Sequence, residues 1–291
     1  MVDEARDWDL PIETEKEGRQ RNIPPRNYKL VGKTFKLAMD LGDTYSLTIL
    51  DETTVLWGEL GGQPGLYDYL CMRANEFVWM VTFMSDAKTN TTVVLDTLNS
   101  LVTVVDASVG KNRHRPQVVM HDIQFGAIFV AGQELPELRH GRTDALVGRK
   151  IAWKYSPVVN ITHIYQTPFS IRSSLNDMEP LPDTATPEQR KECEERTERW
   201  GRVFFEEPCT YVKINENLIM VAFREENRNR VDPTQGGGDL LVLVDTDRVH
   251  DVGRTYCMGP DGNGHMGLIT ASGRFVESED PMQAADSAFW L

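Results

Sequence analysis

The sequence predicts a mainly β protein made of two tandem antiparallel β domains, the second a duplicate of the first. Three observations carry this. A strand pattern recurs: Leu30-Val31-Gly32-Lys33-Thr34-Phe35 returns as Leu146-Val147-Gly148-Arg149-Lys150-Ile151, Glu76–Phe83 returns as Glu216–Phe223, and Val93-Val94-Leu95-Asp96-Thr97 is echoed by Leu243-Val244-Asp245-Thr246. The blocks keep their order while their spacing grows from 116 through 140 to 149 positions, as it would if the second copy carried insertions. Apolar and polar residues alternate with period two along both copies, the mark of half-buried strands. A unit of roughly 120 residues is too long for a solenoid repeat and has the size of a domain.

The 291 residues accommodate two such domains. Hydrophobic residues make up 40% of the chain and charged residues 26%, a globular balance. Against 44 Asp and Glu stand 31 Lys and Arg, a net charge of −13. That excess argues against general binding to nucleic acid or to an anionic membrane, both of which depend on cations meeting phosphate. No apolar run reaches the ~18 residues of a bilayer span, and Met1-Val2-Asp3-Glu4 does not open a signal peptide. Cys71, Cys193, Cys209 and Cys257 form no CxxC pair. Reduced thiols and a cytoplasmic location are the expectation.

Residues 1–27 are polar and read as an arm. The first domain spans 28–143. Phe35, Leu37 and Met39 alternate with polar or small neighbours, then Tyr45, Leu47 and Ile49 do so, with Leu41-Gly42-Asp43 as the turn. Further strands are expected at Thr54–Glu59, Tyr67–Ala74, Glu76–Met84, Thr91–Leu95 and Leu101–Val105. Such a meander closes as a barrel or packs as a sandwich. A basic stretch, Lys111–Arg115, interrupts it before a strand-like Ile123–Val130 that finishes the domain. The second domain spans 144–291. Its one clear helix is Thr186–Trp200, with a Thr cap followed by Pro187 and Glu188. The chain ends in Phe289-Trp290-Leu291, which could dock on a neighbouring surface.

Comparing the copies at polar positions points to the second. Ile151, Trp153 and Tyr155 share one face of a strand. His163, Tyr165 and Arg172 follow, and Ile219, Val221 and Phe223 share a face with Glu225. A carboxylate ending an apolar face is costly unless paired, protonated or near a mouth, and Arg172 is the expected partner, since its planar fork grips a carboxylate. In the first copy Ser85 stands where Glu225 does, and Trp57 or its neighbour falls near Arg172.

Over most of its length the pattern resembles the two-domain MoaF-like proteins, whose halves are calycin barrels related to lipocalins. The second half also resembles phenolic acid decarboxylases, small single-barrel enzymes without a cofactor. The matching positions are Trp153 and Tyr155, Ile171-Arg172, and Val221-Ala222-Phe223-Arg224-Glu225, with Trp153 in place of a tyrosine and Phe223 in place of a tryptophan. The resemblance implies two tandem calycin-like barrels and a catalytic set of Glu225, Arg172 and Tyr155. Trp153, His163, Tyr165 and Phe223 would line the substrate.

A barrel interior suits a small, largely apolar, oxygenated metabolite of secondary-metabolite or phenolic type. There Glu225 would carry protons, Tyr155 and His163 would donate to a developing oxyanion, and Arg172 would hold an anionic end. The expected function is a cofactor-independent lyase, isomerase or cyclase, without metal or redox group. The alternative is a lipocalin-like binding protein or a pathway accessory factor. A homodimer covering an exposed barrel edge is a further expectation. The bland readings are an Arg172–Glu225 brace, tyrosines satisfied in the core, and Trp57, Trp79 and Trp153 as packing. Gly259–His265 superficially resembles a calcium loop but lacks carboxylates at both essential positions, so a hairpin turn is expected.

Overall fold

A computed structural model describes residues 26–110, 118–156, 159–174, 183–200, 204–227, 238–259 and 261–276. The basic stretch Lys111–Arg115, nearly all of the N-terminal arm and the Phe289-Trp290-Leu291 tail lie outside these residues. Eight strands form the first barrel: β1 (Thr34–Met39), β2 (Thr44–Ile49), β3 (Thr54–Glu59), β4 (Gly65–Arg73), β5 (Val78–Asp86), β6 (Thr89–Asp96), β7 (Leu101–Gly110) and β8 (Val118–Ile128). Each pairs antiparallel with the next, and β8 returns to β1 through Leu37 opposite Ile128, so no edge is left.

After a short β9 (Gly141–Arg142) the order repeats in β10 (Lys150–Ser156), β11 (Val159–Thr167), β12 (Ser170–Ser174), β13 (Phe204–Lys213), β14 (Leu218–Arg224), β15 (Gly238–Asp245), β16 (His250–Met258) and β17 (Gly264–Phe275). β17 closes onto β10 and β12 pairs with β13, completing a second eight-stranded barrel, while β9 adds to the far end of β13. The helix α1 (Pro187–Trp200) lies in the β12–β13 connection. It starts as the sequence predicts: Thr186 Oγ1 accepts the Gln189 amide at 3.2 Å and Gln189 Oε1 accepts the Thr186 amide at 2.9 Å. That reciprocal pair satisfies two otherwise orphaned donors.

The duplication extends to individual hydrogen bonds. In the first barrel the Gly32 amide donates to the Ile49 carbonyl at 2.8 Å; in the second the Gly148 amide donates to the Tyr165 carbonyl at 2.8 Å. Both glycines have positive φ, 79° and 82°, which a side chain would oppose. Asp96 Oδ1 accepts the Leu98 and Asn99 amides across the β6–β7 turn, and Asp245 Oδ1 accepts those of Asp247 and Arg248 across the β15–β16 turn. The same turn ends on a left-handed residue in each copy, Ser100 and Val249. These matches align β1–β8 with β10–β17 strand by strand. The β16–β17 turn is closed by the Gly259 amide donating to the Asn263 carbonyl at 2.8 Å, with Gly262 at a φ of 79°.

The interiors are separate. Leu37, Leu47, Val81, Phe83 and Val102 belong to the first, and Trp153, Tyr165, Tyr211, Val221 and Val242 to the second. A third cluster joins the outer faces: Val78, Met80, Val94 and Val105 pack with Val212, Met220, Leu241 and Leu243. This explains why β5 and β14 carry apolar residues at successive positions; each is covered on both faces, by its own core and by the neighbouring barrel. Among the described residues no helix is long and apolar enough to cross a membrane.

At the edge of this contact sits a buried polar group. Arg254 and Asp239, both fully buried, form an ion pair. His121 Nε2 reaches Asp239 Oδ1 at 2.6 Å from the first barrel, and Arg254 Nε donates to Thr92 Oγ1 at 3.2 Å in return. Burial alone would push the Asp239 carboxyl up, but the Arg254 guanidinium and His121 hold it below the usual range.

A candidate site inside the second barrel

The inner wall of the second barrel is set by strand parity, since residues directly opposite on neighbouring strands share a face. Ile151, Trp153 and Tyr155 project inward from β10, as the alternation predicts. Trp153 packs its indole where β17 has Gly273; a Cβ there would lie 2.6 Å from the ring. On β11, His163 stands opposite Ile151, and Tyr165 stands opposite Ile171 of β12. The His163 ring meets Phe223 edge-on at 5.5 Å and Tyr165 at 6.2 Å. Five of the seven expected residues, Trp153, Tyr155, His163, Tyr165 and Phe223, therefore meet in one interior.

Arg172 does not join them. It stands opposite Ile164 and Glu206, on the face of β12 that Ile171 and Ser173 leave, and so on the outside of the barrel. Glu225 has the inward parity but lies past the end of β14. Its Oε2 packs against Gly238 at the rim, and the Glu225 amide donates to the Gly238 carbonyl at 2.9 Å. The expected cavity partnership of Arg172 with Glu225 is thus corrected: one faces out and the other guards a mouth. The error came from placing Arg172 by its residue type, not by its phase relative to Ile171.

The partner that Tyr155 does find is Asp251. Asp251 stands opposite Val244 and Ala271, both core residues, so it faces inward from β16. The Tyr155 hydroxyl donates to Asp251 Oδ2 at 3.2 Å, and the Ala271 amide donates to Oδ1 at 2.5 Å. Asp251 is 1% exposed and Tyr155 3%, so this carboxylate and phenol are coupled away from water. Along β14, Ile219 faces Val244 and thus the level of Asp251, six residues before Glu225. At ~3.3 Å per residue that is about 20 Å along the strand, which separates Glu225 from the Tyr155–Asp251 pair.

Asp251 was missed because its parity partners in Asp251-Val252-Gly253-Arg254-Thr255 are Gly253 and Thr255, which do not mark a face as internal. Two more inward groups were missed. Glu207, 2% exposed, stands opposite Ile171 and accepts the Asn227 amide at 2.8 Å. Ser173, 7% exposed, stands opposite His163.

Among the described residues, two buried polar atoms of this interior have no partner, the Ser173 hydroxyl and the Trp153 indole N–H. The indole leans toward the Tyr165 hydroxyl closely enough to ease that phenol's ionisation, but without hydrogen-bond geometry. Burial still dominates and drives Tyr165 far above its usual value. Burial also pushes His163 down to about 3, so its ring is neutral near pH 7 and can donate or accept but carries no charge. The Tyr211 hydroxyl is committed to the Ser170 carbonyl at 2.7 Å.

Two closed antiparallel barrels in tandem, each with its own packed interior, define a two-domain calycin-like protein. Residues 7–111 match the model of the MoaF N-terminal domain, which takes in the first barrel through β7, and the chain is MoaF-like in that sense. No curated protein matches it. The likeness of the second half to phenolic acid decarboxylases gains nothing from these comparisons, and the outward Arg172 removes one of the residues on which it rested.

Proposed function

We propose that the second barrel is a cofactor-independent acid–base enzyme, a lyase, isomerase or cyclase, acting on a small, largely apolar oxygenated metabolite, with Tyr155 and Asp251 as its proton couple. The observation that carries this is the buried Tyr155–Asp251 pair with the partnerless Trp153 N–H two residues away on the same face of β10. Leaving a buried polar group unpaired costs about 1–3 kcal/mol, a cost that a bound oxygenated molecule would remove. In the proposed step the Tyr155 oxygen takes a proton from a carbon next to a carbonyl as its own proton passes to Asp251 Oδ2. The charge that develops on the substrate oxygen is met by the Trp153 indole N–H. Return of the proton to another carbon isomerises the substrate; loss of a β-substituent completes a lyase reaction. His163 stays a neutral polar contact, and Glu225 belongs to the entrance, not to the proton transfer. The acidic surface and the free thiols Cys71, Cys209 and Cys257 suit a cytoplasmic setting.

Deuterium wash-in tests this. The protein is incubated in heavy water with a panel of small enones, β-hydroxy ketones and hydroxycinnamates, and label uptake is followed by mass spectrometry. Exchange or turnover is expected for at least one compound, abolished by Tyr155→Phe and by Asp251→Asn with the fold intact by circular dichroism. Wild-type rates in both variants would refute the couple. The second reading, a lipocalin-like carrier, is favoured by the apolar and aromatic lining that Trp153, Tyr165 and Tyr211 give the interior. Under it, native mass spectrometry would find an intact small molecule retained and no compound exchanged.

A further inference from the structure

The mouth of the first barrel is built differently from the same end of the second. Tyr45, Trp57 and Tyr67 face inward, opposite the core residues Leu37, Leu47 and Val55, and all three are only partly buried. Tyr45 and Trp57 stack at 4.8 Å with 13° between their planes, and Tyr67 stacks on the buried Phe83 at 5.3 Å. Gly65 lets the Tyr67 ring fold back over its strand, where any Cβ would collide with it. Across the mouth, Asp106 and Asp122 stand opposite each other on β7 and β8, with Gln124 one level deeper opposite Val104.

Asp106 keeps one tie, to the Thr91 hydroxyl at 2.5 Å, and Asp122 accepts the Gln124 amide nitrogen at 3.0 Å. The Gln124 carbonyl oxygen, beside that tie, is sealed from solvent with no donor. Among the described residues no cation pairs with Asp106 or Asp122. The Tyr45 phenol is held above its usual value, by burial first and then by the charges of Asp43, Asp106, Glu59 and Asp122, which marks the field at the mouth as negative.

Aromatic faces beside uncompensated carboxylates attract a cation through the ring quadrupole. A buried acceptor without a donor asks further for a cation that carries N–H groups, which a quaternary ammonium lacks. We propose that the first barrel binds a protonated amine on an apolar or aromatic body, its ammonium held by Asp106, Asp122 and the Gln124 carbonyl oxygen and its body laid on Tyr45, Trp57 and Tyr67. In the second barrel the corresponding positions are Ile161, Ser173, Glu207, Thr255, Gly267 and Ile269, which offer neither the aromatic faces nor the paired aspartates. The site is separate from the Tyr155–Asp251 couple and stands or falls without it.

Calorimetric titration of the full chain at pH 7 with benzylamine, benzyl alcohol, benzoate and tetramethylammonium tests this. Benzylamine should bind at least about tenfold more tightly than the other three, because a charge-assisted hydrogen bond is worth about 1.5–3 kcal/mol. Its affinity should fall as salt is raised. Asp106→Asn and Trp57→Leu should each weaken it about tenfold, and Asp122→Asn, at an exposed position, gives the same readout without disturbing the core. Absence of heat with benzylamine would overturn the proposal. So would equal binding of benzyl alcohol, or unchanged affinity in both aspartate variants.

Discussion

Replacing Arg254 by methionine tests how the two barrels are joined. Arg254 is fully buried, and its guanidinium meets Asp239 through Nη1 and Thr92 through Nε. Methionine of similar volume would leave Asp239, also fully buried, without a guanidinium and with the His121 imidazole still at 2.6 Å. Removing one member of a buried pair costs about 3–5 kcal/mol, because the surviving charge keeps its desolvation penalty. Changing Asp239 to leucine as well removes that charge, so the double variant should recover most of the loss.

The linkage gives a second readout. With Arg254 present, the Asp239 carboxyl is held below its unfolded value near 3.9, so its stabilisation is in place above that pH and is lost as pH falls through the folded value. In Arg254→Met, burial is opposed by His121 alone, so the carboxyl rises from its wild-type value. The penalty is then largest at neutral pH and is relieved by protonation. The gap between wild type and variant should therefore narrow from pH 7 toward pH 4. Urea unfolding at three pH values measures both effects. A gap independent of pH, or a double variant as unstable as the sum of the singles, would refute this account of the contact.

Two further outcomes follow from the second barrel. His163 is pushed down to about 3 by burial, well below the usual 6.5; stability is complete above 6.5 and declines by roughly 1.4 kcal/mol per pH unit as pH falls from there toward 3. The His163 ring should show no NMR titration between pH 5 and 8, and a midpoint near 6.5 would contradict its burial. Gly273→Ala would set a Cβ 2.6 Å from the Trp153 ring and 2.9 Å from Ile151, an overpacking expected to cost about 1–3 kcal/mol in urea unfolding with a shift in tryptophan emission. An unaltered midpoint and spectrum would show that Trp153 is not held against β17.

Most of the architecture was legible in the sequence because strand parity is a local property. Phe35, Leu37 and Met39 announce which face of β1 is buried, and the Leu30–Phe35 and Leu146–Ile151 echo reports a turn that both copies hydrogen-bond alike. The contact between barrels was harder to read. A strand such as Val78–Phe83, apolar at successive positions, records burial on both faces without saying what covers the second one. The site was half legible. Trp153, Tyr155, His163, Tyr165 and Phe223 were found because aromatic residues in phase on neighbouring strands must meet inside. Arg172 was misplaced and Asp251 overlooked because pairing across a barrel depends on register between distant strands. Residue chemistry cannot supply that register: Tyr155 is 96 positions from Asp251.

The aligned positions explain how one duplicated scaffold supports two different interiors. Tyr155 and Asp251 occupy the places that Met39 and Val102 hold in the first barrel, both buried apolar residues there. Ser173 stands in the place of Trp57, which opens space and leaves a hydroxyl where the first barrel has a stacking face. Conversely, Asp106 and Asp122 stand where the second barrel has Thr255 and Gly267. These exchanges lie on inward faces, whereas the outward faces that meet between the barrels stay largely apolar in both copies, apart from the Asp239–Arg254–His121 group, its threonines and Asn90, which reaches Met266. Inward residues touch their own core alone, so a polar substitution there is contained by one barrel. The same substitution on β5 or β14 facing the partner would have to be matched by a second change across the contact, as Asp239 is matched by His121. That asymmetry confines chemical divergence to the interiors and places the two candidate sites where no joint residue separates them from their own strands.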